Sequence, residues 1–558
     1  MTPRDKMWGQ LERTFDVLVI GAGIIGSGVA REAARRGLRV ALLDQYDIAY
    51  GTSSRSSKLV HGGLRYLEQL RFGLVFESVQ ERRVLQRIAP HLVRPLAFLF
   101  PIYVGSKVTL WLLRLGMWVY DVLSLFRSPR LHRVLSPRNT IKTEPGLRAE
   151  GLKGAPLYYD CATDDARLTL ETAIDAAFAG TVVVPQCKVV ALHKDNTGRV
   201  ARVEVEDNIS KRRQSVSARI VVNATGPWTD ATLALDAEGA APLLELTKGV
   251  HIAVRHVKLP LHHAVTCFHP QDQRVLFAIP WGDLTYVGTT DTPYEGNPEE
   301  VHAELQDVNY LLAATRVYFP SYPLTTEDVV TTWAGLRPLI RPKAQAQKAP
   351  SSISREHEIY VGNDGVVTVA GGKLTTYRLI AKQTVNTLGK ELRRRDDGKL
   401  PTHCSRTDRN PLPGAVGLSR HVHVVERVQQ DSQGSVSSHS AHYLVEMYGQ
   451  RALEIAALCA KHATLATPLV AGRPEILAQV YWAVEEEFAT ALSDFFVRRT
   501  QLFFRDVHHG LTALDAVTAM MSKLLEWSPQ QAAEQQAQYR AYVELHQSWK
   551  AELSVSSP

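Results

Sequence analysis

The sequence predicts an α/β protein of three parts: a doubly wound parallel sheet that binds a dinucleotide, a mainly antiparallel β-sheet domain, and a helical C-terminal domain. Three observations predict it. The apolar run F-D-V-L-V-I at 15–20 feeds into G-A-G-I-I-G at 21–26, apolar alternation with proline and glycine breaks fills 246–288, and helical blocks dominate after residue 401. A chain of 558 residues also exceeds what one core usually supports. The expected division gives 15–90, 150–235 and 355–395 to the dinucleotide-binding domain, 91–149 and 236–354 to the second domain, and 401–550 to the third.

The first unit reads strand, turn, helix, strand and ends in L-R-V-A-L-L-D, a Rossmann-type βαβ opening. Gly21, Gly23 and Gly26 allow the tight turn, the close approach of a pyrophosphate and the packing of the helix on the strand. The helix N-terminus adds N–H groups and the positive end of its dipole. Asp44 closes the second strand, where a carboxylate accepts hydrogen bonds from adenosine ribose hydroxyls and repels a 2′-phosphate. The order of these parts, more than the glycines alone, carries the dinucleotide reading.

Directly behind that unit, G-T-S-S-R-S-S-K-L-V-H-G-G-L-R-Y at 51–66 sets cations, hydroxyls, close-set glycines and His61 together. Such a stretch suits an anionic ligand, because hydroxyls and backbone N–H groups bind phosphate while Arg or Lys supplies charge. Helical patterns occupy much of 75–88 and 162–179, and strand alternation occupies 180–206. Residues 108–126, V-T-L-W-L-L-R-L-G-M-W-V-Y-D-V-L-S-L-F, are nearly all apolar, yet Arg114 and Asp121 make them a poor membrane span. Trp111, Trp118 and Tyr120 suit a helix lying at headgroup level; a buried or dimer-contact helix is the other reading.

Further along, R-I-V-V-N-A-T-G brings a β-branched run into a turn at 224–226, or into a helix starting at Pro227. V-V-T-V-A-G-G-K-L-T-T-Y-R brings another run into Gly371 and Gly372, with Lys373 added. In the third domain, helical blocks are expected at 451–461, 474–504 and 512–527, and a loop at 431–440. Ser528 as N-cap, with Pro529 and Gln531 behind it, opens the final helix.

Composition narrows the partners. The 64 basic residues are scattered among 57 acidic ones, giving a net +7 and a pI near 9.0, a weak preference for anionic substrates or an anionic membrane surface. Short basic runs at 211–213 and 393–395 read as solvated surface, and no interleaved aromatic and basic motif points to nucleic acid. Five cysteines lie far apart without C-x-x-C or zinc-ligand spacing, so no metal is expected and a reducing compartment fits. Residues 1–14 lack the apolar region of a signal peptide, which implies cytosolic synthesis.

Together with D-D-A-R-L, V-N-A-T-G-P-W, K-G-V-H-I, I-P-W, G-T-T-D-T, G-L-R-P-L and D-F-F-V-R-R-T, these motifs occur in an order that resembles the FAD-dependent glycerol-3-phosphate dehydrogenases, within the glycine and D-amino-acid oxidase group of flavoproteins. Three separated ligand-type turns also suit the long, bent FAD better than NAD. The resemblance covers roughly residues 15–543 and is weakest at 196–217 and 344–354.

The resemblance implies that FAD abstracts a hydride from C2 of sn-glycerol 3-phosphate, giving dihydroxyacetone phosphate, and that electrons pass to membrane quinone. It also implies a peripheral position on the cytoplasmic face of the inner membrane. By the same resemblance Gly21, Gly23, Gly26, Asp44, Thr52, Ser53, Ser57 and Lys58 bind the cofactor. So do Val189, Ala224, Thr225, Gly226, Asp291, Gly372, Lys373, Leu374 and Thr375, although Thr225 and Thr375 also read as helix caps and Asp291 as a turn residue. Arg65, Tyr66, Arg337 and Lys373 are the substrate-binding candidates. His61 is the first choice of general base and His251 the second, while Arg337 has a second role open to it, stabilising developing alkoxide at C2. Arg498 and Arg499 read as helix-surface or interdomain ion-pair residues. An oxygen-using glycerol-3-phosphate oxidase, an amino-acid oxidase of the same group and a flavin-binding protein without turnover are the rival readings.

Overall fold

Two sheets organise the chain in the computed structural model, which describes residues 3–63, 71–235, 241–341, 357–395, 403–418 and 420–555. Candidates Arg65 and Tyr66 lie outside the described residues. The first sheet is the expected parallel one. Its central strand, Phe15–Ile20, is buried at every position and lies between Arg213–Asn223 and Val40–Leu43, both parallel to it. Val182–Val184 and Val367–Gly371 extend the sheet on either side, and antiparallel His357–Val361 closes one edge.

Burial on both faces explains the near-continuous apolar runs. Val17, Val19, Val40 and Leu42 pack against residues of the helices Ile24–Arg35, Asp165–Phe178 and Tyr377–Arg395. On the other face Leu18, Ile20, Ala41 and Leu43 meet Val189, Val203 and Val216, which belong to a meander formed by Cys187–Lys194, Val200–Asp207 and Arg213–Asn223.

The second sheet is mainly antiparallel. Leu244–Arg255 pairs with both Val329–Ile340 and Leu284–Gly288, and the sheet continues through Val275–Trp281 and Ala264–Phe268. It then takes in Arg94–Leu99, Leu152–Ala162 and Leu59–Val60. This moves two segments across the expected division: 59–60 and 152–162, drawn with the dinucleotide-binding domain, find their backbone partners in the antiparallel sheet.

The apolar stretch at 108–126 forms the helix Leu110–Leu123, which turns Leu113 and Met117 inward and leaves Trp111, Leu112, Leu115, Trp118 and Val122 exposed. Tyr120 departs from the headgroup position expected for it. Its ring is buried and its hydroxyl donates to Asp160 Oδ1 at 2.8 Å beside the Arg82 guanidinium, so it belongs to an internal polar cluster. Among the described residues no helix is long and apolar enough to cross a membrane.

The C-terminal part is helical, and its last long helix opens as read: Ser528 Oγ accepts from Gln531 N at 3.2 Å while Gln531 returns a bond to Ser528 N at 2.8 Å. The block at 474–504 is not one helix. It breaks into Ala478–Glu485, a π turn at Asp494–Arg499 and a short helix at Leu502–Arg505. Phe488 sits at φ +61 in the break, where the Glu487 carboxylate binds Arg167 and the Trp482 indole instead of facing water. The expected loop at 431–440 is shorter, because Ser437 caps a helix beginning at Ser438.

One buried histidine gives this fold an acid sensitivity. His546, in Pro529–Gln547, bonds the Tyr542 carbonyl through Nδ1 at 2.9 Å. Burial, reinforced by the Arg55 charge, lowers its pKa to about 3. Between an unfolded value of about 6.5 and that folded value, the unfolded chain holds a proton that the native state does not, so native stability falls as pH falls through this window. The thermal midpoint is expected to drop from pH 6.5 to pH 4 (about the range), and His546→Asn, which keeps a donor for the carbonyl, to flatten that drop in scanning calorimetry.

Candidate cofactor cavity and active site

At the carboxyl ends of the parallel strands lies a cavity of about 510 Å³. Residues immediately after the strands line it: Gly21 and Gly23, Asp44, Ala224 to Gly226, and Gly371 to Leu374. This is the crevice where doubly wound sheets bind nucleotides. Gly21 adopts φ +100, and a Cβ there would stand 2.6 Å from the Ala224 carbonyl oxygen. Gly23 precedes the helix Ile24–Arg35, whose first N–H donates to Ser53 Oγ at 2.9 Å. Gly26 does not line the cavity. It supports the turn from behind, since a Cβ on it would fall 1.8 Å from Gly21 O.

Asp44 stands at the far end of this cradle and accepts the N–H groups of Ala22 and Tyr46 at 2.6 and 2.8 Å. Burial pushes its pKa up to about 6 against the pull of those two bonds. Val189 lies on the same side, following Cys187, whose N–H donates to the Asp44 carbonyl at 2.7 Å. At the other end Gly371 and Gly372 hold φ of +70 and +99, conformations that favour glycine. A cradle cleared of Cβ atoms, a helix N-terminus and an acid at one end are donors and spaces that FAD fits.

The loop at 51–58 runs along this cavity, and Thr52, Ser53 and Ser56 line it. Thr52 Oγ1 donates to Leu336 O at 2.6 Å, tying the loop to the second sheet. Lys58 is placed elsewhere than expected. Its ammonium is buried, pairs with Asp165 at 2.7 Å and sits 5.1 to 5.8 Å from the ring centres of Phe504, Trp281 and Trp333. Aromatic faces and one carboxylate satisfy that charge internally, so it does not reach the cavity. Ser57 also turns away and bonds His251 Nε2 at 2.9 Å.

His251 and Arg337 come together through strand register. Leu244–Arg255 and Val329–Ile340 pair Thr247 with Arg337, Gly249 with Gly335, and His251 with Trp333, so alternate positions share one face. Gly249 makes room for the cation, since a Cβ on it would meet Arg337 Nη2 at 2.6 Å, while Gly335 makes room for the loop at 51–58, since a Cβ on it would meet Arg55 O at 2.7 Å. Arg337 is fixed by Asp291 Oδ1 at 3.0 Å, Thr289 Oγ1 at 3.1 Å and the Thr290 carbonyl at 3.2 Å. Asp291 is therefore an arginine holder in this arrangement and does not line the cavity.

The His251 ring is buried and stacks on Trp333 with centroids 4.8 Å apart. Burial, then the charges of Arg337 and Lys58, hold its pKa well below the ordinary histidine range, so the ring is neutral at physiological pH. His61 is half-buried on a short loop whose N–H donates to Thr375 Oγ1 at 3.1 Å, and that hydroxyl donates back to His61 O at 3.2 Å. Thr375 is thus a backbone pin for His61, while Lys373 and Leu374 line the cavity.

Several cavity residues escaped the sequence reading. Tyr46 and Tyr50 stack at 4.2 Å, Trp228 stands 6.2 and 6.3 Å from them, and all three line the cavity. The signal available was position: two tyrosines directly after the strand-ending Asp44, and a tryptophan directly after the turn at 224–226.

Residues 16–384 match the family described as FAD dependent oxidoreductase, and residues 405–532 match the C-terminal domain of alpha-glycerophosphate oxidase. The aerobic glycerol-3-phosphate dehydrogenase of Staphylococcus saprophyticus is 36% identical over 521 residues, 93% of this chain and 92% of the relative. The protein of the same name from Bacillus subtilis is 36% identical over 535 residues, 94% of either chain. Among solved structures, the glycerol-3-phosphate dehydrogenase from Bacillus halodurans complexed with FAD matches with a TM-score of 0.81 at 31% identity, over 98% of this chain and 97% of that one.

Proposed function

This chain belongs to the FAD-dependent glycerol-3-phosphate dehydrogenases, and we propose that it passes the electrons it takes from sn-glycerol 3-phosphate to a quinone in the membrane. The observation that carries the site assignment is the shared face of Arg337 and His251, a fixed cation and a neutral imidazole two register positions apart, with Gly249 making room for the cation. Bound FAD supplies the acceptor for the hydride leaving C2. Arg337 faces the C2 oxygen, where its charge stabilises negative charge as the hydride departs. His251 takes the hydroxyl proton, and the resulting C=O group completes dihydroxyacetone phosphate. Lys373, at the cavity wall, binds the phosphate together with Arg65 and Tyr66, the latter two assigned on the sequence pattern alone.

Anaerobic mixing of the purified yellow protein with glycerol 3-phosphate tests the reading. Flavin absorption should bleach, and a soluble quinone should restore it. Colour that persists at saturating substrate refutes the reaction, and hydrogen peroxide formed in stoichiometric yield by detergent-free enzyme in air would assign oxygen as the acceptor.

A quinone substrate requires a membrane contact, and we assign it to the exposed face of Leu110–Leu123, at a cytoplasmic membrane surface. Trp111, Leu115 and Trp118 are each at least half exposed, and Lys107, Arg114, Arg127 and Arg130 surround them. Aromatic side chains with neighbouring cations suit an anionic headgroup layer. Burying each large side chain is worth about 1.5 to 3 kcal/mol. Combined Trp111→Ser, Leu115→Ser and Trp118→Ser substitution should therefore weaken cosedimentation with anionic vesicles by ~100-fold or more while flavin reduction persists.

A further inference from the structure

The D-F-F-V-R-R-T motif at 494–500 takes no part in the chemistry above, yet its arginine side chains are among the most deeply buried cations of the described residues, 2% exposed at Arg498 and 0% at Arg499. The motif forms a π turn in which Thr500 N donates to Phe495 O at 2.9 Å, and both guanidiniums reach one carboxylate, Asp47. Arg498 Nε donates to Asp47 Oδ2 at 2.5 Å, and Arg499 Nη1 and Nη2 donate to its two oxygens at 2.7 Å each. Asp494 holds Arg498 Nη2 at 2.7 Å, and the Glu487 carbonyl holds Arg499 Nε at 3.0 Å, so each guanidinium is fixed from its own domain as well. Burial would raise the Asp47 pKa; the two guanidiniums outweigh it and keep the carboxylate ionised.

Asp47 lies three positions after Asp44, in the segment that walls the cofactor cavity. Its carbonyl accepts the Tyr50 N–H at 3.1 Å, and the Tyr50 ring stands 5.4 Å from Arg498 Cζ. Tyr46 and Tyr50, on either side of Asp47, are cavity residues. The wall of the nucleotide end is therefore anchored from a domain whose sequence begins well over three hundred residues later.

We propose that the helical C-terminal domain is a clamp on the FAD, with Arg498 and Arg499 as positioning residues that hold residues 44–51 against the cofactor through Asp47. Loss of the clamp loosens that wall and speeds FAD release, although neither arginine lines the cavity. The inference rests on FAD occupying this cavity and is independent of which group accepts the substrate proton.

The test is FAD release on dilution of holoenzyme, followed by recovery of flavin fluorescence. Asp47→Asn leaves two buried cations without their anion, so Arg499→Lys, which keeps the charge but loses the forked donor, is measured beside it. Ile455→Ala, which opens a cavity in the separate core of the same domain, serves as the control for general loosening. Arg499→Lys is expected to release FAD about tenfold faster or more, with KM for glycerol 3-phosphate unchanged in excess FAD, while Ile455→Ala lowers Tm without hastening release. Release from Arg499→Lys no faster than from Ile455→Ala overturns the clamp. Full FAD affinity in Gly26→Ala would instead remove the cavity as the FAD site, so the two failures are distinguishable.

Discussion

Gly26→Ala is expected to yield a chain purified with its FAD depleted, its visible-to-ultraviolet absorbance ratio well below that of the native protein. The added methyl would stand 1.8 Å from Gly21 O and 3.0 Å from Gly21 C, a collision with backbone that no rotamer relieves. Gly21 has little room to yield, because it sits at φ +100 with the Ala224 carbonyl against it. The turn must therefore open, and the N–H groups at the start of Ile24–Arg35 move off the pyrophosphate position. Overpacking of this kind costs about 1 to 3 kcal/mol and falls on the ligand-bearing turn, so FAD affinity should drop by roughly 5- to 150-fold. Gly73→Ala is the matched control: nothing lies within 4 Å of a Cβ there, and alanine in the helix Phe72–Ile88 should stabilise slightly.

His251→Asn should retain FAD and lose flavin reduction by ~10²- to 10⁴-fold at saturating substrate, the range of a lost general base. The ring is neutral, packed on Trp333 and held by Ser57, so it is oriented before substrate arrives. His61→Asn should cost less than about tenfold on the same reasoning, because its loop is fixed through backbone bonds to Thr375 that the substitution leaves in place. Rapid-reaction measurement of flavin bleaching separates them, and the reverse ranking would return the base to His61. Arg337→Met should also slow reduction with FAD retained, by the ~10²- to 10³-fold typical of a lost charge-stabilising donor.

Local sequence made the βαβ opening and the Ser528 helix start legible because each depends on residues within a few positions: glycines in a turn, a hydroxyl and an amide three residues apart. The cavity-lining turns at 224–226 and 371–374 were legible for the same reason. What remained hidden depends on partners far along the chain. Lys58 carries the same charge whether it meets a phosphate or Asp165, and only the closing of three aromatic rings around it decides. The block at 474–504 has apolar residues enough for a continuous helix, but the buried Glu487 carboxylate is committed to Arg167, far along the chain, and the Asp494 carboxylate accepts the Thr490 N–H in the break. Tyr120 likewise follows tryptophans outward in pattern and turns inward for Asp160.

The strand order has a consequence for how the protein is made. Arg213–Asn223 gains its outer parallel neighbour, Val367–Gly371, only after about 140 further residues have left the ribosome. At ~5 to 20 residues per second, the glycines at 371–372 emerge roughly 20 to 75 s into synthesis. Until then the nascent chain carries the Gly21 turn, Asp44 and the 224–226 turn beside an open sheet edge, the condition in which chains pair wrongly. The complete cradle is present only once about two-thirds of the chain has been synthesised.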